Sequence, residues 1–261
     1  MVQPGGAKIF FWGARALFVG QALGLAPHRN AVAVLCAGLD GAFEVSRDPG
    51  CSGADYSSHR VALIPAGTLH HLKSGAGRMA FLYLDAHSSD YRHLLEGASY
   101  EDPRLAWGLA CEAACVSALT RLAGGQQWAS VRSELAAVLG LSEPQRRDER
   151  ISETLRLFRD DPAGSHSLGE LARKARLSPS RFQHLFKEST GVPVRRYKVW
   201  SRMGCAVRAM AAGTPLTNAA HQAGFSSSAH FSTAFSAMFG MPPSRLARMP
   251  LGIEEGAVRL P

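Results

Sequence analysis

Long apolar runs are missing from this 261-residue chain. No stretch reaches the ~18 residues that a membrane span needs, so no membrane partner is expected. One segment imitates a secretory leader: Lys8 precedes the apolar residues 9–26, which end Ala-Leu-Gly-Leu-Ala. Arg15 and Gln21 interrupt it, and its Phe, Trp and Val content reads as strands instead. Cysteine is also scarce. Five cysteines, an odd number without a repeating spacing, argue against a disulfide framework and fit a reducing compartment. The expected location is the cytoplasm.

Excess charge is absent from the first half of the chain. Residues 1–147 hold 13 Lys+Arg against 12 Asp+Glu, whereas residues 148–261 hold 16 against 9. A near-neutral part followed by a basic one suggests two modules, the second facing a polyanion. With 46% apolar residues the chain can bury a core, which excludes wholesale disorder.

Short apolar runs at 8–12, 16–23, 31–36, 42–45, 59–64 and 78–84 alternate with Gly, Pro, Asp and Ser clusters. Such spacing predicts a β sandwich or barrel over roughly residues 1–90. Gly38-Leu39-Asp40-Gly41 reads as a hairpin turn. Residues 91–141 turn helical, with apolar residues at i, i+3 and i+4 over 104–122 and 128–141. These helices need cover, either from the β domain or from a second copy of the chain. Residues 142–150, polar and containing Pro144, read as a linker. A helical domain over 151–249 and a tail over 250–261 complete the division.

Within the helical domain the chain repeats itself. Leu168, Ala172 and Ala175 align with Leu216, Ala220 and Ala223 at an offset of 48. Ser178, Phe182, Phe186, Gly191 and Pro193 align with Ser227, Phe231, Phe235, Gly240 and Pro242 at an offset of 49. Each copy holds a short helix with a small residue for close crossing. A tight turn follows, then a Ser N-cap and a second helix with Phe at i and i+4. This is a helix-turn-helix pattern, written twice. Residues 193–211 can join the copies as one helix of about 28 Å, near the ~34 Å of one DNA turn.

The second copy resembles the signature of the AraC/XylS family of bacterial transcription regulators: Ala220-x3-Gly224-Phe225-Ser226-x3-His230-Phe231-x3-Phe235-x4-Gly240-x-Pro242. The run Leu63-Ile64-Pro65-Ala66-Gly67-Thr68-Leu69-His70-His71 resembles the cupin-type sensor domain found in that family. The resemblance implies an α+β, multidomain protein. Its N-terminal part is a cupin-like β barrel with following helices, and its C-terminal domain is all-α, with two helix-turn-helix units. It also implies an effector-controlled, sequence-specific DNA-binding regulator. The implied partners are double-stranded DNA, a small-molecule effector, a second copy of the chain and, for an activator, RNA polymerase.

The first reader helix presents Ser180, His184 and Lys187 opposite its Phe stripe, with Arg181 and Gln183 on the flanks. The resemblance implies that Ser180, Gln183 and His184 are the positions that meet base edges. Arg181 and Lys187 suit phosphate, as do Arg195 and Arg196 at the start of the joining helix. Lys198 and Arg202 belong to the same basic cluster. In the second reader helix the matching positions are Ser228, Ala229, Ser232 and Thr233. No charge follows them, so this half is expected to read shape more than sequence. For the effector, the resemblance points to His28, His70, Met79, Phe81 and Tyr83. The apolar character of Met79 and Phe81 favours an apolar or aromatic molecule over a sugar.

Catalytic cupins hold a metal with His-x-His, a Glu and a later His. Here His28-Arg29-Asn30 supplies one His and no Glu at the expected spacing. No metal, cofactor or enzymatic activity is therefore expected. Cys111 and Cys115 read as small core residues rather than a sensor. Two alternatives stay open: a constitutive regulator whose barrel only dimerises, and a metal-dependent cupin enzyme.

Overall fold

The computed structural model describes residues 6–12, 15–49, 54–84, 88–102, 104–140, 148–249 and 252–256. Nine strands come first: β1 (Lys8–Trp12), β2 (Arg15–Gln21), β3 (His28–Arg29), β4 (Ala33–Gly38), β5 (Phe43–Ser46), β6 (Ser57–His59), β7 (Val61–Ile64), β8 (Leu69–Lys73) and β9 (Arg78–Leu84). After α1 (Ser89–Glu96), a short antiparallel pair follows, β10 (Ser99–Asp102) and β11 (Leu105–Trp107). Two helices, α2 (Glu112–Ala123) and α3 (Trp128–Val138), end this part.

The strands form one eight-stranded sheet, completed by a late strand described below, and one four-stranded sheet, ordered β3-β8-β5-β6. Phe43, Val45 and Leu72 of the small sheet share a core with Val34, Cys36, Ile64 and Phe81 of the large one. The two sheets thus face each other without joining into a closed barrel. Leu35, Ala37, Leu63 and Leu82, on the other face of the large sheet, pack against Leu119, Leu122, Val131 and Leu135 of α2 and α3. Burial on both faces explains why these strands read as continuous apolar runs. It also covers the apolar stripes of α2 and α3 from within the chain.

Two local expectations are corrected. Gly38–Gly41 does not close a hairpin, because β4 pairs with β7 and β9 whereas β5 pairs with β6 and β8. The turn carries the chain from one sheet to the other. Asp40 fixes it by accepting from the Arg78 backbone N–H at 2.7 Å and from its guanidinium at 2.6 Å. The predicted helix over 104–122 begins only at Glu112. Leu105–Trp107 pairs with β7 instead, and Gly108, at φ 63°, turns the chain before α2. A short apolar run fits either period, so periodicity alone could not separate them.

The C-terminal part holds α4 (Glu149–Asp160), α5 (Leu168–Lys174), α6 (Pro179–Thr190), α7 (Val194–Ala211), α8 (Leu216–Gln222), α9 (Ser228–Phe239) and α10 (Pro243–Ala247). Of the predicted linker, residues 142–147 lie outside the described residues. Asp148 caps α4 by accepting from the Arg150 N–H. Residues 252–256, expected within a tail, form β12 and run parallel to β1 at the edge of the large sheet.

The repeat is present in the backbone as well as the side chains. Ser178 and Ser227 cap α6 and α9, and Pro179 occupies the first turn of α6. Gly191 (φ 77°) and Gly240 (φ 67°) end the two helices in the left-handed region that spares only glycine a steric cost. The first copy adds a capping box, in which Ser167 and Glu170 satisfy each other's backbone N–H.

Candidate nucleic-acid interface

Phe182 and Phe186 are fully buried and fix the rotation of α6. Its other side exposes Ser180, Arg181, Gln183, His184 and Lys187. The structure thus brings all five expected contact residues of the first unit onto one solvent-facing helix. In the second unit Phe231 and Phe235 are buried in the same way. Thr233 and Ala229 are exposed there, and Ser228 and Ser232 are half-buried. The 18 residues of α7 separate the two units by about 27 Å at ~1.5 Å each.

The basic cluster of α7 divides. Arg195 is exposed, and Arg196 is half-buried beside Gly67. Lys198 instead donates from Nζ to the His166 carbonyl at 2.9 Å, and burial lowers its pKa. Arg202 donates from Nε to the Pro162 carbonyl at 3.2 Å. Both hold the loop between α4 and α5, so they anchor the domain rather than wait for phosphate.

Both left-handed caps touch the β domain. Beside Gly191, a Cβ would sit 3.4 Å from Ala66, an ordinary contact. At Gly240 a Cβ would lie 2.4 Å from the Ala26 carbonyl oxygen and 2.8 Å from His28 Nδ1, so only glycine fits. Ala26 donates its N–H to the Gly240 carbonyl at 2.8 Å, and Asn30 Nδ2 donates to the Met238 carbonyl at 2.8 Å. The segment around β3 therefore receives the C-terminal end of α9. Gly67 N–H, 2.9 Å from the Asn30 carbonyl, links that segment to the loop under α6.

The five expected effector residues are not in one place. His28 and His70 pair across β3 and β8 with ring centroids 4.3 Å apart, beneath the end of α9. Each donates from Nδ1 to a backbone carbonyl, of Ala26 at 2.9 Å and Thr68 at 3.0 Å. His70 Nε2 is buried with no hydrogen-bond partner among the described residues. Burial holds both rings neutral, lowering His28 and bringing His70 down to about 3. Among the described residues no group of three His, Cys, Asp or Glu is placed to hold a metal.

Phe81 and Tyr83 line a separate cavity of about 150 Å³. Met79 packs in the same core without lining it. Ile9, Phe11 and Phe18 from the large sheet close one side, and Phe158, Trp200 and Phe239 from the helical domain close the other. Three arginines stand at this cavity, Arg15, Arg159 and Arg208, and nothing in the sequence signals that placement. Arg15 donates to the fully buried Asp90 at 2.6 Å, and Arg208 stacks 3.8 Å from the Phe11 ring centroid. Their isolated positions in the chain carry no motif; only the fold assembles them.

Cys115 is buried; the hydrogen bond that its thiol donates to Cys111, and then burial, raise its pKa, and the same bond lowers that of Cys111. No helix among the described residues is long and apolar enough to cross a membrane.

Residues 171–249 match the helix-turn-helix domain family. Over 80 residues the chain is 38% identical to the probable transcriptional regulator LumQ of Photobacterium leiognathi, covering 30% of this chain and 32% of that protein. The chain thus spans about a third of that relative's length. The whole chain is similar in fold to ToxT of Vibrio cholerae. An apo form of a ToxT variant superposes with a TM-score of 0.63 at 16% identity, over 91% of this chain and 98% of ToxT. ToxT with a bound unsaturated fatty acid gives 0.59 at 13%, over 91% and 96%. At such identities the likeness establishes the fold alone.

Proposed function

We propose, from the match of residues 171–249 to a helix-turn-helix domain family, that this protein is a sequence-specific, DNA-binding transcription regulator of the AraC type. The observation that carries this reading is the duplicated unit. Two capped helices, each with a buried Phe pair and a solvent-facing polar side, stand at the two ends of one 18-residue helix. Placed in successive major grooves, they would contact one side of the duplex. The first unit supplies amide, imidazole and cationic groups for base and phosphate. The second supplies hydroxyls and backbone fit. Partners in this reading are duplex DNA, a small-molecule effector, a second copy of the chain and, for an activator, RNA polymerase. It acts in the cytoplasm and catalyses no reaction.

The cavity at the junction of the two domains is the proposed effector site. Its walls are aromatic, and Arg159 and Arg208 stand at it with their charges. That combination suits a small apolar anion, such as an aromatic or acyl carboxylate. ToxT, similar in fold, has been crystallised with an unsaturated fatty acid bound. A volume of about 150 Å³ holds roughly one benzene ring, so a larger ligand must push the domains apart. A ligand that does so favours one domain arrangement over another, with a coupling of about 1–3 kcal/mol. The small volume and the docked α9 also support a second reading, a constitutive regulator whose β domain braces the DNA-binding units.

Retention of genomic duplex fragments by the full-length protein, followed by titration at rising salt, tests the proposal. The expected result is selective retention with affinity falling steeply with salt. Absence of retention, or salt-insensitive binding, contradicts it.

A further inference from the structure

The aromatic stripes that hold the two reader helices both lead to the cavity between the domains. Phe182 and Phe186, fully buried, fix α6. Phe186 meets the ring of Phe158 in α4 with centroids 6.2 Å apart, and that of Tyr197 in α7 at 5.7 Å and nearly perpendicular. Phe158 and Tyr197 both line the cavity. The stripe of α9 reaches it directly. Phe231 packs on Phe235 at 5.6 Å and Phe235 on Phe239 at 4.6 Å, and the last two rings line the cavity. Ring-to-ring contact therefore runs from each reader helix to the cavity wall. The space of about 150 Å³ is where the two lines of rings stop.

Such contacts do not deform gradually. Aromatic rings pair edge-on or offset with centroids about 4.5–7 Å apart, and a close-packed interior moves between discrete arrangements. A ring displaced at the cavity wall must reseat its neighbour. For α6 that neighbour is Phe186; for α9 the wall ring Phe235 is itself part of the stripe. The stripe in turn sets which side of the helix faces solvent. A rotation of about 10° carries side-chain tips, roughly 5–6 Å from the helix axis, through about 1 Å. A hydrogen bond to a base edge does not survive such a shift without rearrangement. A flexible cation on a phosphate follows it more easily.

We infer that the occupant of this cavity sets the rotation of both reader helices at once, through Phe158 for α6 and through Phe235 and Phe239 for α9. This rests on the effector reading of the cavity given above and adds how an effector there acts. The apolar part of the ligand fills the gap between the two lines of rings and presses on both. The effector therefore changes the discrimination between specific and random DNA, and not only general affinity. A ligand that acted on the angle between the domains alone would leave each reader helix seated as before. Its effect would not depend on the ring at position 158.

The test uses the full-length chain, with benzoate and palmitoleate as probes. Calorimetry reads probe binding, equilibrium binding on matched specific and random duplexes reads discrimination, and amide hydrogen exchange reads α6 and α9. In the wild type a saturating probe should change the ratio of specific to random affinity by about 5- to 150-fold and alter exchange in both helices. By linkage, probe affinity should differ between the two DNA complexes by the same factor. Phe158→Leu keeps an apolar side chain but removes the ring between the cavity and Phe186. At saturating probe it should keep the effect on α9, lose that on α6 and retain only part of the change in ratio. Phe239→Leu should weaken the effect on α9 and spare that on α6; it decides the matter if thermal unfolding shows that Phe158→Leu is not folded. A bound probe that leaves the ratio and both helices unchanged, or that acts equally in the wild type and the folded variants, overturns the inference and leaves the effector reading standing. If neither probe binds, the effector reading fails and the inference with it.

Discussion

His184 projects from α6 opposite two fully buried phenylalanines and Gln183 from the exposed flank beside it, so the helix cannot rotate to hide them without exposing that stripe. Both are exposed, and their expected effect lies in the complex. His184→Ala and Gln183→Ala should each cost about 1–3 kcal/mol on the specific site and little on random DNA, the pattern of a base contact. Arg195→Ala should weaken both DNAs alike, because phosphate carries no sequence information. Ser232→Ala should cost less than either reader of the first unit. Equilibrium binding on matched specific and random duplexes checks all four, and equal losses on both DNAs for His184→Ala would contradict its assignment. These positions were legible in the sequence because the Phe spacing fixes which side of the helix is outside. The roles of Lys198 and Arg202 were not legible. Their charges are visible in the sequence, but the carbonyls of His166 and Pro162 that occupy them are 32 and 40 residues away. The pairing of His28 with His70 follows from strand register, which no local pattern encodes.

The helices of the repeat were legible as elements because several local signals agree in each: Ser caps, a Phe pair and a terminal glycine. The pair β10–β11 was not, since its apolar residues fit a helical period until Gly108 breaks it. The β12 strand was missed because 252–256 has no strand pattern of its own and pairs with the first strand of the chain. Docking between elements adds a further distinction that the repeat conceals. Gly191 and Gly240 occupy equivalent positions with nearly equal φ, but only Gly240 is pressed against another backbone. Gly191→Ala should cost the strain of one left-handed residue, about 1–2 kcal/mol. Gly240→Ala should cost this and, in addition, the contact between α9 and the segment before β3, including the Ala26–Gly240 hydrogen bond. Urea unfolding should place Gly240→Ala lower by at least about 1 kcal/mol, with faster amide exchange at Ala26. Equal destabilisation of the two variants would show that the docking contributes nothing.

At the scale of the whole molecule, the charge asymmetry correctly suggests two parts, but it does not show that they share a core. Met203, Ala206, Phe231 and Phe235 of the helical domain belong to one buried cluster with Ile9, Phe18, Val34 and Phe81 of the β domain. A shared core means that the relative position of the reader helices depends on the domain that also walls the proposed effector cavity. The central claim is that this assembly places α6 and α9 in successive major grooves on one side of the duplex. Hydroxyl-radical footprinting with base-modification interference, using the full-length protein on the genomic fragment it retains most tightly, tests that claim most directly. The account predicts two patches of major-groove interference about one helical turn (~10 base pairs) apart on the same side. Between them the backbone should be protected with no base interference. A single patch, or two patches on opposite sides of the duplex, would contradict it.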